Sequence, residues 1–490
     1  MSVLIVVSDP ADWPLEISGA RVLAARDYLT QVGCEDGPGT KVFNLCRSYR
    51  YQKLGYYVSL LAEARGHRPF PTTGTIQALK SRSTLSLASA ELDEIMQRSL
   101  APLASKRFVL TAYFGHNIAA RHGKLAMALF RQFPAPLLRA EFALGGRKRR
   151  WMLESVEALS PDDVPAEHRA FLGDVAKDYF RRRHHVRTTQ KTPAYDLAIL
   201  VDREEEEPPS NTKALHKFTC AAESLGFDVE LIGKDDYGRL AEFDALFIRE
   251  TTAVNHRTYR FAQRAAATGL VVIDDPESIL RCTNKVFLAE LLAHHGVPVP
   301  RTVIVHRNNV DEALRVLGLP CILKQPDSSF SQGVMKASSP AEYRDAVTRL
   351  LGRSDLVIAQ AYTPSEFDWR IGVIDRRPIY ACKYFMASEH WQVIARDESG
   401  KNRAEGDSIA VPLDRVPKAV VKTALRAANL IGSGLYGVDL KEIDDQPFII
   451  EVNDNPSIDA GFEDELLGDE LYQTVMRTFR DRLETRRRTR

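Results

Sequence analysis

Short apolar runs separated by polar stretches with helical periodicity recur along this chain, the pattern of a mixed α/β protein. Val3 to Val7, Lys41 to Leu45, Phe108 to Tyr113 and Leu137 to Leu144 read as strands, with helices over Tyr56 to Arg65 and Leu87 to Leu100 among them. A fresh pattern starts with strand Tyr195 to Val201, followed by helix Lys213 to Leu225 and strands Phe227 to Ile232 and Ala245 to Ile248. Between the two regions, the basic stretch Arg181 to Lys191 ahead of Pro193 reads as a connection. Further on, Phe287, Leu288, Leu291 and Leu292 form a helical stripe, Gly296-Val-Pro stops that helix, and Leu356 to Tyr362 and Asp368 to Ile374 read as strands. The pattern predicts an N-terminal α/β domain over 1–180, a small open-sheet domain over 192–275 and a larger α+β module over 276–480. Residues 481–490 are expected to be a basic tail, with the arginine-rich run Arg486 to Arg490 disordered.

The run Asp439 to Asn453 carries the clearest chemistry. Tyr436 to Ile443 and Pro447 to Asn453 are strand-like, and alternation puts Asp439 on one face of the first and Glu451 with Asn453 on one face of the second. A three-residue loop of Asp444, Asp445 and Gln446 would pair Ile443 with Pro447 and set Asp439 opposite Glu451. Two carboxylates and an amide then converge as hard oxygen ligands, a set suited to Mg²⁺ (or Mn²⁺) completed by substrate phosphates. A solvated acidic hairpin is the alternative, but Glu451 inside the apolar run Phe448 to Val452 is hard to place on a merely structural strand.

Two lysines precede this hairpin. Lys285 opens the helical stripe, and Lys324 ends the apolar strand Cys321-Ile-Leu-Lys, where burial is unfavourable unless an anion pairs with it. The loop that follows, Asp327-Ser-Ser-Phe-Ser-Gln-Gly333, offers backbone amides and serine hydroxyls to phosphate oxygens. Gln360 lies near the end of one strand, and Asp368-Trp-Arg370 opens the next.

Taken in order, the two lysines, the small-residue loop, the strand-end hinge, Asp-x-Arg, Gly-Val-Asp and Glu-Val-Asn-x-x-Pro resemble the ATP-grasp superfamily. Within it the chain is most similar to the RimK-type carboxylate–amine ligases, over roughly residues 195 to 475 and most specifically from Lys285 to Pro456. That resemblance implies an ATP-grasp module over 276–480 behind a pre-grasp domain. It implies that Lys285 and Lys324 contact ATP phosphates, with Ser331 and Gly333 in the loop covering them. It further implies that Gln360 and the backbone of Ala361 and Tyr362 line adenine, that Asp368 approaches ribose, and that Arg370 holds the transferring phosphate and acyl-phosphate. Mg²⁺ would sit on Asp439, Glu451 and Asn453, and Lys383 is a further candidate for the phosphate pocket. Family loops are commonly richer in glycine than this one, where Ser328, Ser329 and Ser331 accompany Gly333. The segment Asn44 to Pro69 also resembles the N-terminal region attached to one subgroup of RimK-like proteins.

The resemblance implies ATP-dependent amide bond formation through an acyl-phosphate. The carboxylate substrate would be an amino acid such as glutamate, the amine acceptor an amino acid, peptide or protein. A kinase acting on a hydroxyl and a nucleotide-binding protein without turnover are the rivals. Composition adds exclusions. At 490 residues with formal net charge +1, the chain gives no global reason to expect nucleic acid, and clusters such as Arg147 to Arg150 lack interleaved aromatic platforms. Its six cysteines have no Cys-x-x-Cys spacing, as expected for reduced thiols of a cytoplasmic protein. No apolar run is long enough for a membrane span. A homo-oligomer stays open.

Overall fold

The computed structural model describes residues 3–17, 19–30, 37, 39–79, 90–145, 150–181, 193–327, 333–387, 394–396 and 402–489. Two compact units emerge: residues 1–196 with 235–243, and residues 197–234 with 244–490.

The first unit holds two sheets. Strands β1 (Val3–Val7), β2 (Ala20–Ala24), β3 (Lys41–Leu45) and β4 (Arg68–Phe70) form a parallel sheet in the order β2-β1-β3-β4. β1 is apolar throughout because both its faces are covered: Val3, Ile5 and Val7 enter one core, Leu4 and Val6 another. β5 (Arg107–Tyr113), β6 (Leu137–Gly145) and β7 (Arg150–Ala158) make an antiparallel sheet. Segment 235–243 belongs to this unit through Glu242, which accepts hydrogen bonds from Tyr179 and, at its carbonyl, from Arg68 at 2.8 Å.

The second unit is built from three main sheets. The first comprises β8 (Tyr195–Leu200), β9 (Phe227–Ile232), β10 (Ala245–Ile248) and β11 (Val271–Ile273), with β10 parallel to both β8 and β11. The second is antiparallel: β12 (Thr302–Val305), β13 (Cys321–Lys324), β14 (Val334–Ala337) and β15 (Val357–Ala361), ordered β12-β15-β13-β14. The third contains β16 (Phe367–Ile374) and β17 (Arg377–Phe385). After the small pair β18 (Ile394–Arg396) and β19 (Asn402–Glu405), it is completed by β20 (Ser408–Ala410), β21 (Leu435–Ile443) and β22 (Gln446–Asn453) in the order β20-β17-β16-β21-β22. Helices Val310–Leu317 and Pro340–Leu351 cover the second sheet, and Lys285–His294 and Lys418–Ile431 cover one face of the third. The opposite face of the third sheet, with Asp368, Arg370 and Asp439, is left for the cleft described below.

Two expectations change. The predicted basic tail is instead the end of a helix, Asp469–Thr489. Leu471, Tyr472, Val475, Met476, Phe479 and Leu483 recur at helical spacing and are buried, and Tyr472 and Phe479 pack edge-on against Phe218 and Phe247. The terminal arginines suit the negative end of the helix dipole, and Arg486 donates to the Gly269 carbonyl at 2.8 Å. The hairpin turn also differs: it is the two-residue pair Asp444–Asp445, with φ of 49° and 59°, and Ile443 pairs with Gln446 rather than Pro447. That is the left-handed geometry favoured for two-residue hairpin loops. No helix among the described residues is long and apolar enough to cross a membrane.

Candidate active site

A two-residue turn in perfect register would set Asp439 opposite Ile450. The ladder instead slips once between Asp439 and Leu440, leaving Ile450 as an extra residue, so that Asp439 does face Glu451 and Gly437 faces Asn453. The expected convergence is present, reached through a bulge that strand periodicity cannot show. Asn453 Nδ2 donates to Asp439 Oδ2 at 3.1 Å. Gly437 keeps this face open: a Cβ there would meet the Pro456 side chain at 2.7 Å and Arg370 at 3.6 Å.

Around this hairpin lies a cleft of about 800 Å³. It brings together Lys285, Lys324, Gln360, Ala361, Tyr362, Asp368, Arg370, Asp439, Glu451 and Asn453, ten of the residues singled out in the sequence. Arg370, on central strand β16, grips Asp439 with two hydrogen bonds of 2.7 and 2.8 Å. Burial opposes its charge, but the Asp439 carboxylate more than compensates and holds the guanidinium well above its ordinary range. Lys285 begins its helix beside Asn284, whose side chain caps the Phe287 amide at 3.0 Å, and its ammonium reaches Glu451 at 2.7 Å. Burial disfavours ionised Glu451, yet Lys285 and Lys324 outweigh it and keep the carboxyl below its usual range. Lys324 donates to Gln360 Oε1 at 3.0 Å, and burial pushes its ammonium down to about 8, with Glu451 opposing and Lys285 adding to the fall. The backbone amides of Ala361 and Tyr362 are bonded to the carbonyls of Arg301 and Pro320, at 2.8 and 3.2 Å. Their carbonyls and side chains are what they offer a ligand.

Three candidates fare differently. Lys383 does not face the cleft. It pairs with Trp369 across β16 and β17, on the face opposite Arg370, and its ammonium lies 4.0 Å from the Phe367 ring centroid and 4.8 Å from that of Trp369. Gly333, at φ 69°, precedes the cleft residue Val334 but does not itself line the cleft. Ser331, with Ser328 and Ser329, lies outside the described residues.

Other residues of the cleft carry weight that the sequence reading did not assign. Lys441 is two residues beyond Asp439, so alternation alone puts it on the same face, and it holds Asp368 at 2.6 Å. Tyr384 lies under the Arg370 guanidinium, 5.0 Å from carbon to ring centroid, and donates its hydroxyl to Glu463. Asp454 accepts from the Thr252 hydroxyl at 2.7 Å, and burial pushes its carboxyl up to about 7. Behind them, fully buried Arg249 at the end of β10 donates to Pro209 O, to Ser210 Oγ, to Asn455 Oδ1 at 2.7 Å and to Pro456 O at 2.9 Å, tying the first sheet of this unit to the segment after β22. An arginine directly after an apolar strand was the available signal.

The donor set fits a divalent cation that binds with a nucleotide. Among the described residues no three His, Cys, Asp or Glu side chains are grouped to hold a metal. Two carboxylates and an amide leave most of an octahedral shell to phosphates and water, as Mg²⁺ prefers. Lys285 and Arg370 occupy the carboxylates meanwhile.

Two family models match this chain. Residues 25–175 match the RimK-like ATP-grasp N-terminal domain and residues 282–469 the RimK-like ATP-grasp domain. An alpha-aminoadipate–LysW ligase, LysX, of Saccharolobus solfataricus is 28% identical over 256 residues, 47% of this chain and 85% of the relative. A Vibrio vulnificus protein named "Probable alpha-L-glutamate ligase" is 25% identical over 225 residues, 45% of this chain and 71% of the relative. Among solved structures, a RimK domain ATP-grasp protein from Sphaerobacter thermophilus aligns with TM-score 0.44 at 17% identity, covering 58% of this chain and 98% of its own. Between them these family matches cover residues 25–175 and 282–469, and the chain belongs to the RimK-like ATP-grasp family, a family of carboxylate–amine ligases.

Proposed function

We propose that this protein uses Mg·ATP to join an amino-acid carboxylate, glutamate being the first candidate, to the amine of an amino acid, peptide or protein. The observation that carries the reading is a single cleft in which Lys285, Lys324 and Arg370 face Asp439, Glu451 and Asn453. Joining a carboxylate to the γ-phosphorus brings two anions together, and cations fixed in a partly buried cleft offset that repulsion more strongly than water does. The carboxylate oxygen attacks the γ-phosphorus, the bond to the bridging oxygen breaks, and ADP leaves with the electron pair. The amine then attacks the acyl carbon and phosphate departs. Lys285 and Lys324 hold the phosphates, Arg370 the transferring group, and Asp368 and Gln360 the nucleoside. Asp439, Glu451 and Asn453 would hold Mg²⁺, which would supply positive charge to offset that of the phosphates. The glutamate and aminoadipate ligases among the relatives support an acidic amino acid as one of the two substrates. The thiols of Cys46, Cys220, Cys282, Cys321 and Cys382 are free, which supports a reducing, cytoplasmic setting.

The direct test is phosphate release from ATP with amino-acid and peptide pairs, read together with product mass. Release that requires both a carboxylate and an amine, with an amide product, is the expected result. ADP formation with a hydroxyl compound and no amine overturns the ligase reading.

Nucleotide binding tests the lysines separately. Lys324→Ala and Lys285→Ala should each weaken ATP about ten- to hundredfold by calorimetry, since charge-assisted contacts contribute about 1.5–3 kcal/mol. Lys324 adds a pH signature. Its depressed ammonium is unprotonated in the free protein above a pH of about 8, whereas phosphate oxygens favour the charged form, so ATP affinity should fall as pH rises through that value. Calorimetry near pH 9 in buffers of different ionisation enthalpy should report proton uptake on binding, absent in Lys324→Met. The free protein behaves oppositely. Between about 8 and the unfolded-chain value of 10.5 the unfolded state binds more protons, so this residue makes stability rise with pH across that window.

A further inference from the structure

Charge is unevenly distributed along the cleft. Lys285, Lys324, Arg370 and Lys441 surround the hairpin, but beyond Asn453 the lining carboxylates are Asp454, Asp459 and Glu463. Among the described residues no lysine or arginine lies within salt-bridge distance of these three. Glu463 is satisfied by the Tyr384 hydroxyl and by the Asp459 amide at 2.7 Å, and Asp459 Oδ1 accepts from the Asn211 amide at 2.5 Å. Asp454 is only 6% exposed and lines the cleft; Thr252 donates to Oδ2, and the backbone amide of Asp454 itself also favours the carboxylate. Beside it, Thr251 also lines the cleft with its hydroxyl buried and without a hydrogen-bond partner.

Behind Asp454 is a second buried carboxylate. Asp274 is 1% exposed and neither of its oxygens has a hydrogen-bond partner. Asp454 is the strongest charge opposing its ionisation, and Arg249, whose donors go to neutral oxygens, is the cation acting on it. A cationic hydrogen-bond donor seated on Asp454 would give this buried carboxylate the charged partner that the described residues do not supply. A substrate carboxylate would be repelled there and favoured beside Arg370. We propose that this part of the cleft is an ammonium subsite, in which Asp454, positioned by Thr252 and assisted by the Thr251 hydroxyl, binds the primary ammonium of the amine co-substrate. The assignment of that ammonium to the acceptor rests on the ligase reading.

The test uses the full chain, Asp454→Asn and Thr252→Val, with folding checked by thermal melting. In steady-state phosphate release with glutamate and a panel of amines, Asp454→Asn should raise KM for the amine about ten- to hundredfold. KM for ATP and for the carboxylate should stay within about twofold, and Thr252→Val should raise the amine KM about three- to tenfold. An increase in the carboxylate KM instead, or no change in either, overturns the proposal. A second measurement is independent of turnover. With Mg²⁺ and a non-hydrolysable ATP analogue bound, 1,5-diaminopentane should bind by calorimetry, and added glutarate should not displace it. Asp454→Asn should weaken the diamine at least tenfold without altering analogue affinity. Equal diamine binding by the wild-type protein and Asp454→Asn, or none by the wild type, rejects the subsite. If no pair supports phosphate release but the diamine result holds, the ligase reading fails and the ammonium site stands.

Discussion

Glu451→Gln should reduce phosphate release about a hundredfold or more, and excess Mg²⁺ or Mn²⁺ should partly restore it. The substitution keeps the shape of the side chain and removes one anionic oxygen from a face shared with Asp439 and Asn453. Fixed charge aimed at reacting phosphates is commonly worth two to three powers of ten in rate. Weakened metal binding is recovered by mass action, whereas a lost structural contact is not. The effect on the free protein is equally diagnostic. Sequence reasoning suggests that Glu451 and Asp439 repel each other without a cation, so that the glutamine variant should be as stable as the parent or more so. The structure reverses that expectation, because Lys285 lies 2.7 Å from Glu451 and Arg370 pairs with Asp439. Glu451→Gln should therefore lower stability without nucleotide, by about 1–3 kcal/mol, leaving Lys285 without its anion. The carboxyl is held below its ordinary range, so its contribution is present above the unfolded carboxylate pKa and is lost as pH falls through the lower, folded value. Denaturant titrations of the two proteins should converge in acid. Asp439→Asn should likewise lose turnover, and the double variant should lose much less than the sum, since both residues act through one ion. Near-parental turnover of Glu451→Gln at limiting Mg²⁺ would remove the metal assignment.

Much of this site is legible in the sequence because strand alternation is a strong local rule. It sets Asp439, Glu451 and Asn453 on faces that do meet, and applied one step further it would have included Lys441. The same rule excludes Lys383 once Trp369 is known to be its cross-strand neighbour, but that pairing depends on the register of β16 with β17, which one strand cannot specify. The bulge at Ile450 is illegible for the same reason: an extra residue is visible only against a partner strand. Arg249 and Asp454 were missed because their roles arise from contacts more than two hundred residues apart in sequence. The end of the chain was misread by composition. Its arginines suggest a tail, but the apolar spacing from Leu471 to Leu483 has the helix period and a core to pack against.

Arg370→Ala should lower kcat by about a thousandfold and Arg370→Lys by about a hundredfold, while ATP affinity changes no more than about threefold in either. The division follows from where the guanidinium is fixed. Its paired hydrogen bonds to Asp439 and its position over Tyr384 fix it on the central strand of the sheet, while in the proposed function Lys285 and Lys324 hold the nucleotide before reaction. A lysine retains the charge but not the planar fork, so it cannot grip Asp439 and a phosphate oxygen in the same geometry. Stability provides an independent readout. Removing the guanidinium leaves Asp439 a partly buried carboxylate without its cation, a change expected to destabilise the free protein by about 3–5 kcal/mol. Mg²⁺ with a non-hydrolysable nucleotide supplies positive charge at the same carboxylate, so its stabilising shift in melting temperature should be larger in Arg370→Ala than in the parent. A residue needed only for packing would lose stability equally with and without Mg·nucleotide. Single-turnover measurements separate binding from chemistry: bound ATP should persist in Arg370→Ala while phosphate transfer stalls. A kcat within tenfold of the parent, or a loss confined to ATP affinity, would show that Arg370 serves the ground state and that the transferring phosphate is held elsewhere.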